Sequence, residues 1–170
     1  MKKIIILVAI IGIAVVSIAE MKNFSSTSCS EGTITPVFSP DDSDKILNLI
    51  KNAKNEIKLE VYEFSYKELA DDLIDSRNRG VAVEVILDPS VYQNNEIFSY
   101  LLNSGVDVAW SPKKFHTTHS KFAVIDDSIV LVGSTNWSKN AMKNNREASV
   151  IIYSPDVAKA FERIFDSDFQ

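Results

Sequence analysis

The sequence predicts an α/β fold: a mixed, largely parallel sheet sandwiched by helices. Three observations lead there. From residue 34 to the end, helical and strand periodicities alternate, the pattern of strands joined by helical crossovers. Two apolar runs, 119–126 and 128–132, meet at Asp126-Asp127-Ser128, a hairpin-like turn that makes the sheet mixed. The chain has 170 residues, enough for one domain with a core of its own and no disulfide staples.

The elements follow in order. Residues 1–19 open with Lys2-Lys3 and continue as the uncharged run IIILVAIIGIAVVSIA. A basic start, an apolar stretch and small residues at Ser17 and Ala19 read as a secretory signal. The same 16 residues can also serve as a retained membrane anchor, with the lysines on the cytoplasmic side. Either reading exports the domain. Residues 20–32 (EMKNFSSTSCSEG) form a serine- and threonine-rich linker. It holds the only cysteine, Cys29, which has no partner for an internal disulfide. The catalytic-type domain is then 33–170.

Within it, ITPVF (34–38) is a short strand whose proline suits a sheet edge. Ile46, Leu47, Ile50 and Ala53 mark a helix, and EIKLEVY (56–62) has strand alternation. Ser65-Tyr66-Lys67-Glu68 has the form of a capping box, opening a helix with Leu69, Ala70, Leu73 and Ile74 inward and Gly80 as its stop. VAVEVIL (81–87) is a strand, 95–103 a helix stopped by Gly105, and VDVAW a short strand. REASVIIY (146–153) is a further strand. Ser154-Pro155 caps a last helix with Val157, Ala158, Phe161 and Phe165 inward. No internal repeat is present.

Hydrophobic content of 45% and charged content of 24% are ordinary for a globular protein. Eighteen basic against 23 acidic residues give a net charge of −5, which argues against indiscriminate coating of nucleic acid. Without Lys2 and Lys3 the charge is −7. Its distribution is uneven. From 113 to 147, Lys113, Lys114, Lys121, Lys139, Lys143 and Arg146 outnumber Asp126, Asp127 and Glu147 by three, leaving −10 on the rest. A basic mouth on an acidic body suits a polyanion.

Both histidines, His116 and His119, lie in HTTHSKFAVID. Histidines three apart can chelate, but an open zinc site takes about three protein ligands. Asp126 and Asp127 stand nearby without an HExxH or cysteine cluster, so neither a metal nor another cofactor is expected. His119 and Lys121, two apart at the start of a strand, share a face, with Phe122 and Val124 on the opposite one. A lysine on an otherwise apolar strand needs a partner, and an anionic ligand such as phosphate is one. The next run ends in Gly133-Ser134-Thr135-Asn136, where Ser134 and Asn136 share a face in extended backbone. Hydroxyl, amide, imidazole and ammonium would then form a cradle for a phosphodiester. Glu147 is placed to accept from His119 Nδ1, leaving Nε2 to attack or to take a proton. Trp137 offers a face for stacking on a base, and core packing is its alternative.

Written as spacing, these residues read HxK, four residues, Asp126, six residues, Gly133-Ser134-x-Asn136. In this the chain resembles the phospholipase D superfamily, whose HxK(x4)D(x6)GSxN motif it matches throughout. VFSPDD, YEFS, RGVAVEVILD, LLNSGVDV and Asn145-x-Glu147 are also similar to that family. The resemblance implies a two-step displacement through a phosphohistidine without a metal. His119 would be nucleophile or general acid, and Lys121 and Asn136 would hold the non-bridging oxygens. Ser134 would orient the site and Glu147 would support His119. Asp126 is expected to be structural, since a strand's length separates it from Lys121, and Gly133 belongs to the motif's frame. Lys113, Lys114, His116, Trp137, Lys139, Lys143 and Arg146 are candidate substrate contacts.

In-line displacement with a covalent intermediate uses two histidines on opposite sides of the phosphorus, and this chain has one motif. A homodimer sharing its active site across a two-fold axis is therefore expected. His116, on the same loop as His119, cannot face it across a phosphate. The expected function is an exported endonuclease, similar to the short single-motif members. A cardiolipin-type phospholipid phosphodiesterase, with membrane contact through a retained anchor, is the first alternative. A non-catalytic nucleic-acid-binding module is the second.

Overall fold

Residues 32–169 are described by the structure, a computed structural model. The expected signal or anchor, Cys29 and all but the end of the linker lie outside them. Among the described residues, no helix is long and apolar enough to cross a membrane.

Seven strands form one sheet in the order β1-β7-β6-β5-β2-β3-β4. The strands are β1 (Thr33–Ser39), β2 (Glu56–Val61), β3 (Ala82–Leu87), β4 (Asp107–Trp110), β5 (Lys121–Ile125), β6 (Ile129–Gly133) and β7 (Glu147–Tyr153). The helices are α1 (Ser43–Asn52), α2 (Lys67–Asn78), α3 (Asn94–Asn103), α4 (Lys139–Lys143) and α5 (Pro155–Asp168). The α/β class and the mixed sheet match the expectation, and Pro36 lies on an edge strand.

The expected predominance of parallel pairs does not hold. Only β2–β3 and β3–β4 are parallel, whereas β1–β7, β7–β6, β6–β5 and β5–β2 are antiparallel. The reason is the connections. A parallel crossover takes a dozen or more residues and usually a full helix. The β5–β6 link is a tight turn, and α4, with five residues, is too short to carry β7 back to the start of β6.

The sheet separates two cores. On one face Val37, Ile57, Leu59, Val61, Val85, Ala123, Ile125, Leu131 and Ile151 pack with Ile46 and Ile50 of α1, Leu69 and Leu73 of α2 and Leu101 of α3. On the other, Phe122, Val124, Val130 and Ile86 pack under Ala158 and Phe165 of α5. Gly80 and Gly105 end their helices with positive φ, 96° and 81°. Ser154 caps α5 by accepting from Val157 N. The capping box at Ser65 does not form. Ser65 Oγ donates to Glu63 instead, and Glu68 accepts from the Tyr66 hydroxyl.

The β5–β6 turn places Asp126 and Asp127 in the left-handed region, φ 52° and 53°, with Ser128 N donating to Ile125 O. Two such residues make the mirror-image turn that fits strand twist, and aspartate tolerates it. The Asp126 carboxylate then accepts from the backbone N–H groups of Lys54, Asn55 and Glu56, at 2.7–3.1 Å. It ties the hairpin tip to the start of β2.

Beside that turn Glu56, Asp127 and Glu162 bring carboxylate oxygens within 4.8 Å of one another. Burial first, and then hydrogen bonding to Asp127, push the Glu56 carboxyl up to about 7, while Lys58 opposes the shift.

Two outcomes are expected from this end of the sheet. Asp126→Gly relaxes the turn backbone yet removes three charge-assisted acceptor contacts, so it should lower unfolding free energy by about 2–3 kcal/mol in urea titration. Glu56 has a raised folded pKa, so its contribution to stability is complete below about pH 4.5 and is lost as pH rises through about 7. The urea midpoint of the wild type should therefore fall over that window, and that of Glu56→Gln should fall less.

Candidate active site

The motif residues other than Asp126 meet at the end of the sheet opposite the hairpin turn. Register explains how. Val61, the last residue of β2, pairs with Lys121, the first of β5, and Tyr62 N donates to Ser120 O at 3.0 Å. The residues just beyond β2 therefore lie beside those just before β5. The Tyr62 ring packs on the His119 imidazole, with centroids 4.3 Å apart and planes at 46°. Lys121 Nζ stands 5.2 Å over the same Tyr62 ring. Strand alternation is as expected, since Phe122 and Val124 belong to the core under α5.

His119 is exposed and Lys121 half-buried. Lys121 Nζ lies 3.2 Å from His119 Nδ1 and donates to His119 O at 2.8 Å. An ammonium only donates, so Nδ1 accepts and the imidazole proton sits on Nε2 in this arrangement. Burial lowers the Lys121 pKa, and the Glu147 and Glu63 carboxylates oppose that shift.

Glu147 does not hold His119 Nδ1, contrary to expectation. It accepts from Ser134 Oγ at 2.5 Å and from Asn145 Nδ2 at 3.2 Å. Lys121 stands at Nδ1 in place of Glu147, because it is two residues from His119 at the same end of β5. Ser134 also accepts from Ala148 N at 3.1 Å, which fixes its hydroxyl on the first turn of β7. Asn136 Nδ2 reaches Glu63 at 3.4 Å, and its Oδ1 is buried without a hydrogen-bond partner. His119, Lys121, Ser134, Asn136 and Glu147 are thus brought together around two carboxylates. Glu63 and Tyr62 went unassigned in sequence reasoning, although both lie in the YEFS stretch that carried part of the resemblance.

Gly133 permits the arrangement. A Cβ there would fall on Ser149 Oγ, Ser149 Cα and the Ala148 carbonyl oxygen. Only glycine lets β7 close on β6 at this level, which delivers Glu147 to Ser134.

The wider substrate-contact set divides. Trp137 is 2% exposed and packs edge-on against Phe64, centroids 5.2 Å apart, so it is core and not a stacking platform. Its backbone also accepts from Ser65 and Tyr66, which holds the segment inside. Lys114 pairs with Asp168 and Arg146 with Asp41, both at 2.9 Å, so two of the six basic groups are committed. Lys113, His116, Lys139 and Lys143 are exposed. Beside the site runs a cleft of about 430 Å³ lined by His119, Ser120 and Lys121, by Phe122, Val132 and Gly133, and by Phe161 and Ile164 of α5, with Glu60 in its wall.

Residues 46–169 match the family described as "Cardiolipin synthase, PLD-like domain". The chain is 32% identical over 127 residues to a mitochondrial cardiolipin hydrolase of Xenopus tropicalis, covering 74% of this chain and 60% of that protein. It is 28% identical over 148 residues to a phospholipase D of Rickettsia conorii, covering 85% and 74%. Among solved structures it resembles Nuc of Salmonella typhimurium, a phospholipase D family member. The TM-score is 0.75 and the identity 26%, over 81% of this chain and 94% of that one. NucT of Helicobacter pylori shares the fold, with TM-score 0.69 and 23% identity over 81% and 96%.

Proposed function

We propose, from the premise that this chain belongs to the family of phospholipase D-like domains, that it is a metal-independent phosphodiesterase acting through His119. The observation that carries the reading is the contact of His119 and Lys121 with each other and with Tyr62, at the open end of the sheet. In the proposed reaction Lys121 turns from Nδ1 to the phosphate, the His119 Nε2 proton passes to water while Nδ1 takes one from water, and the freed Nε2 lone pair attacks phosphorus. A P–N bond forms, the bond to the leaving oxygen breaks, and that oxygen takes a proton from the partner subunit's His119. Water then attacks the phosphohistidine, the partner subunit's His119 takes the water's proton, and the P–N bond breaks. Lys121 and the Asn136 amide hold the non-bridging oxygens. Ser134 orients the site, held by Glu147. Fixed donors of this kind act where phosphorane charge develops.

A homodimer follows from chemistry that needs two histidines and a chain that has one motif. Export of the domain rests on the apolar segment 4–19. Nucleic acid is the first substrate class. It is supported by the excess of basic residues in 113–147, by exposed Lys113, Lys139 and Lys143, and by a fold match that spans nearly all of the compact Nuc chain. Phospholipid is the second, supported by the apolar wall that Phe122, Val132, Phe161 and Ile164 present beside His119. The mitochondrial cardiolipin hydrolases point the same way, although the chain spans only 48% to 60% of their length.

With supercoiled plasmid in excess EDTA, the protein should nick DNA, and His119→Ala should lose at least about 1000-fold of that activity. Absence of nicking by a dimeric wild type removes the nuclease reading. If the lipid reading holds, Ile164→Lys should raise KM for phospholipid in mixed micelles about tenfold, the worth of one apolar side chain's burial. Turnover of bis(p-nitrophenyl) phosphate should not change. An unaltered lipid KM removes that reading.

A further inference from the structure

Glu60 is an anomaly in β2. It stands on the face covered by α5, between Ile86 of β3 and Phe122 of β5, and is 3% exposed. One carboxyl oxygen meets the Ser120 hydroxyl, and the other, Oε2, is buried without a hydrogen-bond partner. A carboxylate in such a place is costly. The charged groups around it offer no relief. The neighbouring strands contribute Ile86 and Phe122, and α5 contributes Asp168, itself buried and turned to Lys114. Lys121 and His119 lie on the rim of the same cleft.

What Glu60 holds is the middle of the catalytic tripeptide. Ser120 separates His119 from Lys121, and its carbonyl accepts from Tyr62 N. The loop 111–120 has other ties, beginning with Ser111 N, which donates to Leu87 O at 2.9 Å. Thr118 N donates to Asp88 Oδ2 at 2.5 Å, and Lys114 pairs with Asp168. Asp88 and Glu60 differ in one respect. Asp88, 2% exposed, has donors on both oxygens, because Ser90 N and Ser90 Oγ serve Oδ1. Glu60 has a donor on one oxygen only. A carboxyl with one oxygen unpaired among apolar side chains fits its site as a neutral acid.

We propose that Glu60 is a proton-dependent positioning residue for His119 and Lys121. As a neutral carboxyl it stays between Ile86 and Phe122 and accepts from Ser120; the anion accepts more strongly from Ser120, but its unpaired Oε2 draws the carboxylate out of that apolar site toward water, which shifts the His119-Ser120-Lys121 segment with it. Burial raises the Glu60 pKa, the Ser120 hydrogen bond opposes that shift, and the Asp168 carboxylate adds to it. With a raised folded pKa, the support Glu60 gives is complete in acid and is lost as pH rises through that value. Activity should therefore fall on the alkaline side of the ordinary carboxylate range. The inference rests on the phosphodiesterase reading only for the reaction it tunes.

The test uses the full chain, bis(p-nitrophenyl) phosphate, and the variants Glu60→Gln and Glu60→Ala, between about pH 4 and 9. Glutamine keeps an acceptor for Ser120 and cannot ionise. The wild type should show an alkaline limb in kcat that Glu60→Gln lacks, with Glu60→Gln near wild-type kcat in acid. Glu60→Ala should lose about 10- to 100-fold in kcat at every pH, with KM within about twofold, as expected of a small misplacement. Superimposable wild-type and Glu60→Gln profiles overturn the proposal, as does wild-type kcat in Glu60→Ala. If the wild type does not turn over the diester, the phosphodiesterase reading fails, and nitrogen-15 resonances of the His119 imidazole decide the matter instead. A pH step beyond the ring's own titration, present in the wild type and lost in Glu60→Gln, upholds the coupling. Identical curves overturn it.

Discussion

The antiparallel join of β2 to β5 is the contact on which the site depends. It links the part of the sheet built from βα units to the part built from hairpins. Its register pairs Val61 with Lys121 at one end and Ile57 with Ile125 at the other. A slip of one residue would turn Lys121 into the core under α5 and Phe122 out of it. Asp126 guards against that slip from the far end, through three backbone N–H groups at the start of β2. The motif's aspartate thus serves the end that holds His119 and Lys121 through the sheet's register rather than by touching it.

Around that join, polar groups are placed where strands end and burial is partial. Lys121 loses hydration, and Glu147 and Glu63 counter the loss. Each of those carboxylates also accepts from another motif residue, Ser134 or Asn136. Charge and orientation are therefore coupled, since moving either carboxylate disturbs both a donor and the lysine. A phosphodiester entering between them would offer the ammonium a stronger anionic partner and leave the two carboxylates to hold the neutral donors. Gly133 sets the spacing, because no side chain at that position leaves room for β7.

Carboxyl groups near the two ends of β2 behave differently for a physical reason. Glu56 sits among other acids near the turn, and its raised pKa expresses burial and crowding that bear on stability. Glu60 sits between Ile86 and Phe122 and is tied through Ser120 to the segment that joins His119 to Lys121. Side chains two turns of the pleat apart on the same face of one strand thus reach different parts of the protein.

The sequence by itself determined the class of the fold, the edge position of β1, the helix stops at Gly80 and Gly105, the hairpin turn and the motif at the site. These rest on local period, turn chemistry and fixed offsets, which the chain carries without folding. It also marked Asp126 as a frame residue, from its distance along the strand. Tertiary structure alone decided the direction of most strand pairs, since periodicity gives a strand's faces and not its neighbour's direction. It decided that Trp137 lies in the core, because Phe64 comes from a distant segment to meet it. Helix α4 escaped notice because five residues give too little period, and hydroxyl contacts from Ser39 and Ser43 help hold it in place. The partner of His119 Nδ1 was decided there too. Glu147 and Lys121 both suit the position by type, and only packing assigned the lysine to the imidazole and the glutamate to Ser134.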